Sequence, residues 1–262
     1  MRDSPETLPD HVAENRRHWD AIADDWVAMG EQAWARAEPT WGNWRVPESE
    51  LRMLPEDMTG LDAIELGCGT AYVSAWMARR GADVTAIDNS EQQLATARRL
   101  AGEHGVDLTL LHGNAETVPR PDGSFDFAIS EYGASIWCPP EAWLREAHRL
   151  LRPDGRLVFL CNHPMALACA PTNGAPVGTS LERDYFGLHT IDWRDVPVDP
   201  GGVNFCLPIS DWMALFAEIG FVVEGLLEPR APADADGGDF VPATWARRWP
   251  SELVWKVRKA SR

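Results

Sequence analysis

The sequence predicts an α/β fold built on a doubly wound parallel sheet. Between residues 61 and 161, short β-type apolar segments alternate with segments of helical periodicity. The first of these strands ends at a turn with two glycines, and a helix follows directly. A chain of 262 residues that is 45% hydrophobic can bury the core of such a domain.

The elements follow from turn residues and from the apolar period. A helix is expected over residues 11–30 and a short one over 48–54. Within the alternating region, the strands are expected at 61–66, 83–87, 107–111, 124–130 and 156–161. The helices between them are expected at 71–80, from the N-cap Ser90 to about residue 103, and at 140–151. The pattern then predicts a helix at 210–219, capped by Ser210, and strands at 221–227 and 251–257.

Composition and charge exclude several classes of protein. The net charge of −16 disfavours a nucleic-acid substrate, a tRNA included, because a phosphate backbone would be repelled. No apolar run has the roughly 20 residues of a membrane helix, and the N-terminus does not resemble a secretory signal. The five cysteines have no C-x-x-C spacing, which indicates neither a disulfide framework nor a zinc site and favours a cytoplasmic location.

The turn at Gly67 and Gly69 is the central functional feature. The glycines let the backbone approach a ligand closely, and the next helix directs its free N–H groups to the same place. A dinucleotide fingerprint requires a small third residue, where this sequence has Tyr72. The carboxylate of Glu65 would repel a diphosphate and would suit an ammonium group. The ligand is therefore expected to be S-adenosylmethionine, and NAD remains the alternative.

Two further polar positions follow the second and third strands. Asp88 lies where an acid meets ribose hydroxyls in such folds, and its two oxygens can accept from both the 2′- and the 3′-hydroxyl. Its alternative role, a helix cap, is better filled by Ser90. Asn114, Ala115 and Glu116 lie where side chains reach the edge of the adenine, although a simple polar loop explains Asn114 and Glu116 nearly as well.

These motifs together resemble the class I S-adenosylmethionine-dependent methyltransferases, in particular the branch that methylates small metabolites. The resemblance covers residues 19–163 and 210–256. It is carried by Ile64-Glu65-Leu66-Gly67-Cys68-Gly69-Thr70, Asp88, Asn114-Ala115-Glu116, Phe125-Asp126 and Leu151-Arg152-Pro153-Asp154-Gly155-Arg156-Leu157. Two positions depart from the usual pattern: Ala71 replaces a third glycine, and Asn114 replaces an aspartate.

The resemblance implies a Rossmann-like seven-stranded sheet with the strand at 251–257 inserted antiparallel. It also implies an N-terminal helical cap (1–60), a cofactor-binding core (61–161), an acceptor lid (162–208) and the remainder of the sheet (209–262). The cofactor-binding residues that it implies are Glu65, Gly67, Cys68 and Gly69 around the methionine part, Asp88 at the ribose, Asn89, Asn114, Ala115 and Glu116 at the adenine, and the backbone of Ser130.

The acceptor is expected to be a small molecule. Methyl transfer is a direct displacement, so a general base is required only for a protonated acceptor. Candidates are His163 after the fifth strand and Tyr132 after the fourth, with structural roles as the alternatives. No second acid is paired with Asp126, so no metal is expected. The remaining alternative is a non-catalytic protein that binds an adenosyl ligand.

Aromatic residues are expected around the acceptor. The segment 182–186 is predicted to form part of the lid, together with Trp193 and Phe205. Five of the thirteen tryptophans lie in the first fifty residues, and one or two of them are expected to line the pocket while the others pack the core.

Overall fold

The computed structural model describes residues 8–198 and 201–261. Residues 1–7 of the expected cap and residues 199–200 of the expected lid lie outside this part of the chain. The N-terminal elements are α1 (Asp10–Ile22), a 3-10 turn (Ala23–Trp26), α2 (Val27–Ala35), the hairpin strands β1 (Thr40–Trp41) and β2 (Val46–Pro47), and α3 (Glu48–Leu51). The single helix expected over 11–30 is thus divided, because Asp24 and Asp25 are unfavourable at the negative end of a helix.

A seven-stranded sheet forms the centre of the described structure. Its strands are β3 (Asp62–Leu66), β4 (Asp83–Asp88), β5 (Thr109–His112), β6 (Phe125–Glu131), β7 (Leu151–Asn162), β10 (Phe221–Leu227) and β11 (Glu252–Lys259). The order is β10-β11-β7-β6-β3-β4-β5, with β11 antiparallel to both of its neighbours and parallel pairing from β7 to β5. The fold class predicted from the sequence is confirmed.

Helices cover both faces of the sheet. They are α4 (Tyr72–Arg79), α5 (Glu91–His104), α6 (Ala134–Trp137), α7 (Pro140–Leu150), α8 (Pro164–Ala168), α9 (Ile209–Ile219) and α10 (Ala243–Ala246). On β3, Ala63 packs into the hydrophobic cluster on one face, whereas Ile64 and Leu66 pack into the cluster on the other. Because both faces are covered, the central parallel strands β3, β4 and β6 are mostly buried, whereas the edge strand β5 has no buried residue.

The chain order defines a switch point in the sheet. From β3 the chain proceeds through β4 to β5 on one side and then returns to form β6 on the other side of β3. The carboxyl ends of β3, β4 and β6 therefore surround a crevice, which is the place where doubly wound folds bind ligands.

Several local features differ from the sequence prediction. Helix α9 begins at Ile209 after Pro208 and has no side-chain cap, so the cap expected at Ser210 is wrong. The cap at Ser90 is confirmed, since its Oγ accepts a hydrogen bond from Gln93 N at 3.2 Å. The described residues within 162–208 form an irregular region with only short elements, among them β8 (Thr190–Asp192) and β9 (Val203–Phe205). Such elements contain too few residues for a recognisable period in the sequence. None of the helices in the described residues has the length and apolar character needed to cross a membrane.

Candidate active site

A cavity of about 830 Å³ lies at the switch point of the sheet. Its walls combine the carboxyl ends of β3, β4 and β6 with helix α1, the β1–β2 hairpin and parts of the irregular region. Of the expected cofactor-binding and catalytic residues, those that line it are Glu65, Gly67, Cys68, Gly69, Asp88, Asn89, Asn114, Ala115 and Tyr132. The lining does not include Glu116, Ser130 or His163.

The turn after β3 has the backbone conformation that its glycines permit. Gly67 has φ +79°, and a Cβ there would lie 2.6 Å from the backbone of Gly133 and Ala134. Gly69 has φ +51°, and the nearest atom to a Cβ built there is Gln93 Oε1 at 3.9 Å. Gly67 thus permits close packing of two backbones, whereas Gly69 leaves open space in front of the cavity. Ala71 also has a left-handed φ, +60°, which explains why a glycine suits this position.

Asp88 connects the turn to the start of α5. Its Oδ2 accepts a hydrogen bond from Gly69 N at 2.7 Å, and its Oδ1 accepts one from Ser90 N at 2.8 Å. Burial raises the pKa of the carboxyl, and these two backbone donors oppose that rise. Each carboxylate oxygen has a second lone pair that remains available for a hydroxyl donor.

Glu65 is buried beneath the turn. Its Oε2 accepts from both the backbone N–H and the hydroxyl of Ser74 in α4. Burial raises the pKa of this carboxyl well above its usual value, and the nearby Glu131 and Asp88 act in the same direction. Glu65 therefore holds α4 against β3 through one oxygen and lines the cavity with the rest of its side chain.

The expected adenine side is closed by helix α1. Asn89 Nδ2 donates to Val12 O at 2.8 Å, and Arg16 Nε donates to Asn89 Oδ1 at 2.9 Å. Asn114 Oδ1 accepts from the backbone N–H of Glu116 at 3.0 Å, which fixes the loop after β5. The carboxylate of Glu116, which is not part of the cavity lining, lies 2.7 Å from His11 Nε2.

Ser130 and His163 have partners outside the cavity. Ser130 Oγ donates to Leu66 O at 2.8 Å and accepts from Ser135 N, so it joins β6 to β3. His163 accepts from Met165 N through Nδ1 and pairs with Glu228 through Nε2 at 3.0 Å. Burial lowers the pKa of this histidine, and Glu228 partly opposes the shift. Both ring nitrogens of His163 are thus engaged in local structure.

Sequence reasoning missed several residues of the site. Asn15, Gly133, Trp137 and Asn204 line the cavity, and Trp19 contacts Trp137 at 5.2 Å between ring centroids. Three of the five N-terminal tryptophans line it as well, which is more than expected: Trp19, Trp26 and Trp44. The density of tryptophan in the first fifty residues was the available signal. Trp34 and Trp41 are fully buried in the core.

The expected lid contributes only in part. Trp193 lines the cavity, whereas Phe205 packs against the rings of His11 and His189. The segment 182–186 does not line the cavity, and Phe186 is 86% exposed.

Two tyrosine–glutamate pairs lie at the wall of the cavity, which Tyr72, Glu131 and Tyr132 line. Tyr72 Oη donates to Glu131 Oε2, and Glu131 Oε1 accepts from Gly42 N at 2.8 Å. Tyr132 Oη donates to Glu252 Oε1 at 2.7 Å. The second pair joins the residue after β6 to the first residue of β11, 120 residues later in the chain. The described residues contain no group of three or more His, Cys, Asp and Glu that could hold a metal ion.

Comparisons with known proteins agree with this architecture. Residues 64–159 match the family model described as a methyltransferase domain. The ubiquinone biosynthesis O-methyltransferase of Caulobacter sp. (strain K31) is 34% identical over 165 residues, which are 63% of this chain and 60% of that protein. The chain thus aligns with less than two thirds of that relative's length.

Solved structures extend the likeness beyond the matched domain. An S-adenosylmethionine-dependent methyltransferase from Mesorhizobium loti is 25% identical, with a TM-score of 0.62 over 80% of this chain and 96% of that one. The cyclase SpnF has the same fold over the full length of both chains, with a TM-score of 0.63 at 19% identity. Residues 64–159 thus match a methyltransferase domain, and the chain has the fold of S-adenosylmethionine-dependent methyltransferases.

The residues present fit the cofactor of this class. The cavity is within the size range of sites for small ligands and cofactors. Gly69 leaves open space where any other residue would place a Cβ, and Asp88 offers acceptors for hydroxyl groups. Thr70 Oγ1 is buried beside the cavity without a hydrogen-bond partner in the described structure. A ligand with hydroxyl, ammonium and carboxylate groups matches this set of donors and acceptors.

Proposed function

We propose that the protein transfers the methyl group of S-adenosylmethionine to a small-molecule acceptor. The observation that carries the proposal is the convergence of the Gly67–Gly69 turn, Asp88 and Asn114 on one cavity at the switch point. When bound, S-adenosylmethionine supplies a methyl group on a cationic sulfur, which is a good leaving group. The protein then has to align the acceptor and exclude water.

Each cavity residue has a proposed part in binding. Glu65, Gly67, Cys68 and Gly69 surround the methionine part, and Asp88 accepts from the ribose hydroxyls. Asn89, Asn114 and Ala115 border the adenine. The backbone beside Ser130 completes the methionine side through Gly133, which packs on Gly67. Tyr132 is proposed to face the acceptor.

The acceptor is proposed to be a small aromatic or apolar molecule. Trp44, Trp193 and Phe240 line the part of the cavity beyond Tyr132, and such surfaces favour flat apolar ligands. The similar relative from Caulobacter takes part in ubiquinone biosynthesis by its name. The net charge of −16 disfavours nucleic acid. The five buried, unpaired cysteines favour a reducing compartment, and we propose the cytoplasm.

Calorimetry with S-adenosylhomocysteine and with NAD tests the cofactor assignment. We expect saturable heat with S-adenosylhomocysteine and none with NAD. The carboxylate of Glu65 would repel a diphosphate, and Tyr72 occupies the position where a dinucleotide site requires a small residue. Absence of heat with S-adenosylhomocysteine would contradict the proposal.

A further inference from the structure

Glu252 is a buried acid behind the acceptor side of the cavity. Its residue exposure is 0%, and it forms no ion pair in the part of the chain that the structure describes. Oε1 accepts from Tyr132 Oη at 2.7 Å and from Asn43 N at 2.6 Å, whereas Oε2 has no hydrogen-bond partner there. A carboxylate with one oxygen unpaired in an apolar interior is unstable in its charged form. Glu252 is therefore well suited to accept a proton.

Tyr132 connects this acid to the cavity. The phenol donates to Glu252 and accepts from Asn43 Nδ2 at 3.2 Å, which leaves one acceptor position on its oxygen. Its backbone is left-handed, with φ +50°, and the next residue, Gly133, packs against Gly67. Such strain is found where a side chain is held in a functional orientation. Tyr132 thus stands beside the glycine turn and reaches into the cavity that the turn borders.

The second pair, Tyr72–Glu131, is less suited to take up a proton. Both oxygens of Glu131 have donors, Tyr72 Oη and Gly42 N. The guanidinium of Arg36 opposes the rise in the pKa of Glu131 that burial causes. Among the described residues no cation acts in this way on Glu252, and burial raises the pKa of its carboxyl to about 7. The titratable groups that act on Glu252 are Glu131 at the end of β6, Tyr132 directly after it, and Cys161 in β7.

We propose that Tyr132 and Glu252 form a proton relay that removes the proton from a hydroxyl group of the acceptor, so that the protein is an O-methyltransferase. The inference rests on the proposed function. The acceptor's hydroxyl proton passes to Tyr132 Oη while the phenolic proton passes to Glu252 Oε1. The acceptor oxygen bonds to the methyl carbon, and the carbon–sulfur bond breaks with its electron pair left on sulfur. Tyr132 is the catalytic residue, and Glu252 is a positioning residue that acts through it.

Methyl transfer to a panel of simple acceptors tests the relay. The panel contains catechol and 4-methylcatechol as hydroxyl acceptors, 2-phenylethylamine as an amine, benzenethiol as a thiol and indole as a carbon acceptor. We expect turnover of the catechols, with kcat rising through about pH 7 to a plateau as Glu252 ionises. In Glu252→Gln and Tyr132→Phe, kcat should fall by about 10² or more at neutral pH, with a nearly unchanged KM for the catechol.

The pH profile separates a relay from a structural role. In Glu252→Gln, the residual rate should keep rising with pH and should not reach a plateau. In this variant, only acceptor molecules whose hydroxyl group has already ionised in solution can react. Tyr185→Phe is the matched control, since Tyr185 lies outside the cavity lining and its oxygen only accepts from Ile209 N. A wild-type pH profile in Glu252→Gln would overturn the relay, as would turnover confined to the other acceptor classes. If the wild-type protein does not bind S-adenosylhomocysteine, the proposed function itself is contradicted.

An infrared titration tests the relay without any acceptor. In the complex with S-adenosylhomocysteine, the band of a neutral carboxyl should disappear with a midpoint at about pH 7 and should be absent from Glu252→Gln. In Tyr132→Phe the midpoint should rise, because the phenol stabilises the carboxylate. A band that is unchanged in Glu252→Gln would overturn the relay, whether or not the panel is turned over.

Discussion

At the scale of single residues, the acidic groups at and behind the cavity have distinct surroundings. Asp88 accepts two backbone hydrogen bonds, Glu65 is held by Ser74, and Glu252 has one oxygen without a partner. Burial raises the pKa in all three cases. Each carboxyl accepts two hydrogen bonds, which are shared between both oxygens in Asp88 and fall on a single oxygen in Glu65 and in Glu252. Carboxyl groups in such different surroundings are typical of sites in which each carboxyl has a different function.

Asp88→Ala should weaken the binding of S-adenosylhomocysteine by about 10- to 100-fold, the effect of losing hydrogen bonds to a charged group. Isothermal titration calorimetry measures the change. Asp83→Ala is the matched control, because Asp83 begins the same strand at the far end and is exposed. Equal affinities of Asp88→Ala and the wild type would show that the ribose does not lie at Asp88.

At the scale of elements, the turn between β3 and α4 combines two different uses of glycine. Gly67 is pressed against the backbone that follows β6, and it fixes the distance between two strand ends. Gly69 has a similar φ but open space around its missing side chain. The first glycine serves the packing of the protein, and the second leaves room for a ligand.

Alanine substitutions should separate these uses. Gly67→Ala should lower the free energy of unfolding by ~2–4 kcal/mol, because a Cβ there would collide with the backbone in addition to the strained φ. Gly69→Ala should cost about 1 kcal/mol and weaken S-adenosylhomocysteine binding by about 10-fold or more. Gly105→Ala is the control, with φ +63° and open surroundings at the end of α5. Gly105→Ala should lower the free energy of unfolding, measured with denaturant, as much as Gly69→Ala does, but it should bind S-adenosylhomocysteine normally. Normal binding of S-adenosylhomocysteine by Gly69→Ala would contradict the role of Gly69 in leaving room for the ligand.

The sequence predicted those elements whose information is local. The strand, glycine turn and helix from β3 to α4 were readable because the apolar period and the turn residues lie within 20 residues of each other. The pairing of Tyr132 with Glu252 joins positions 120 residues apart, and no pattern in either segment indicates it. The segment 182–186 was assigned to the lid from its aromatic residues, yet Phe186 lies exposed. Whether a loop segment lies over a cavity depends on its contacts with residues far away in the chain, and the composition of the segment does not reveal these contacts.

At the scale of the whole molecule, the cavity is closed by segments from distant parts of the chain. Helix α1 lies over the ends of β4 and β6, and Asn15 at its centre is 3% exposed. Asn15 Nδ2 donates to Val203 O at 3.0 Å and to Trp137 O at 3.2 Å, and Asn15 Oδ1 accepts from Val203 N at 2.9 Å. One side chain thus joins the N-terminal helix to α6 and to β9 of the irregular region. Because these segments close the cavity, a ligand's exchange should depend on how readily they separate.

Asn15→Ala should therefore change ligand exchange as well as stability. Removing the amide leaves the partner groups of Val203 and Trp137 unpaired, which should cost about 2–3 kcal/mol of unfolding free energy. S-adenosylhomocysteine should dissociate about 10-fold faster or more, since the cap opens more often. Hydrogen exchange followed by mass spectrometry should show faster exchange in α1 and weaker protection of α1 by the ligand. Asn173→Ala, in an exposed loop, is the matched control and should leave both measurements unchanged. If Asn15→Ala lowered stability but left the dissociation rate and the exchange of α1 as in the wild type, helix α1 would be a fixed wall of the cavity and not its gate.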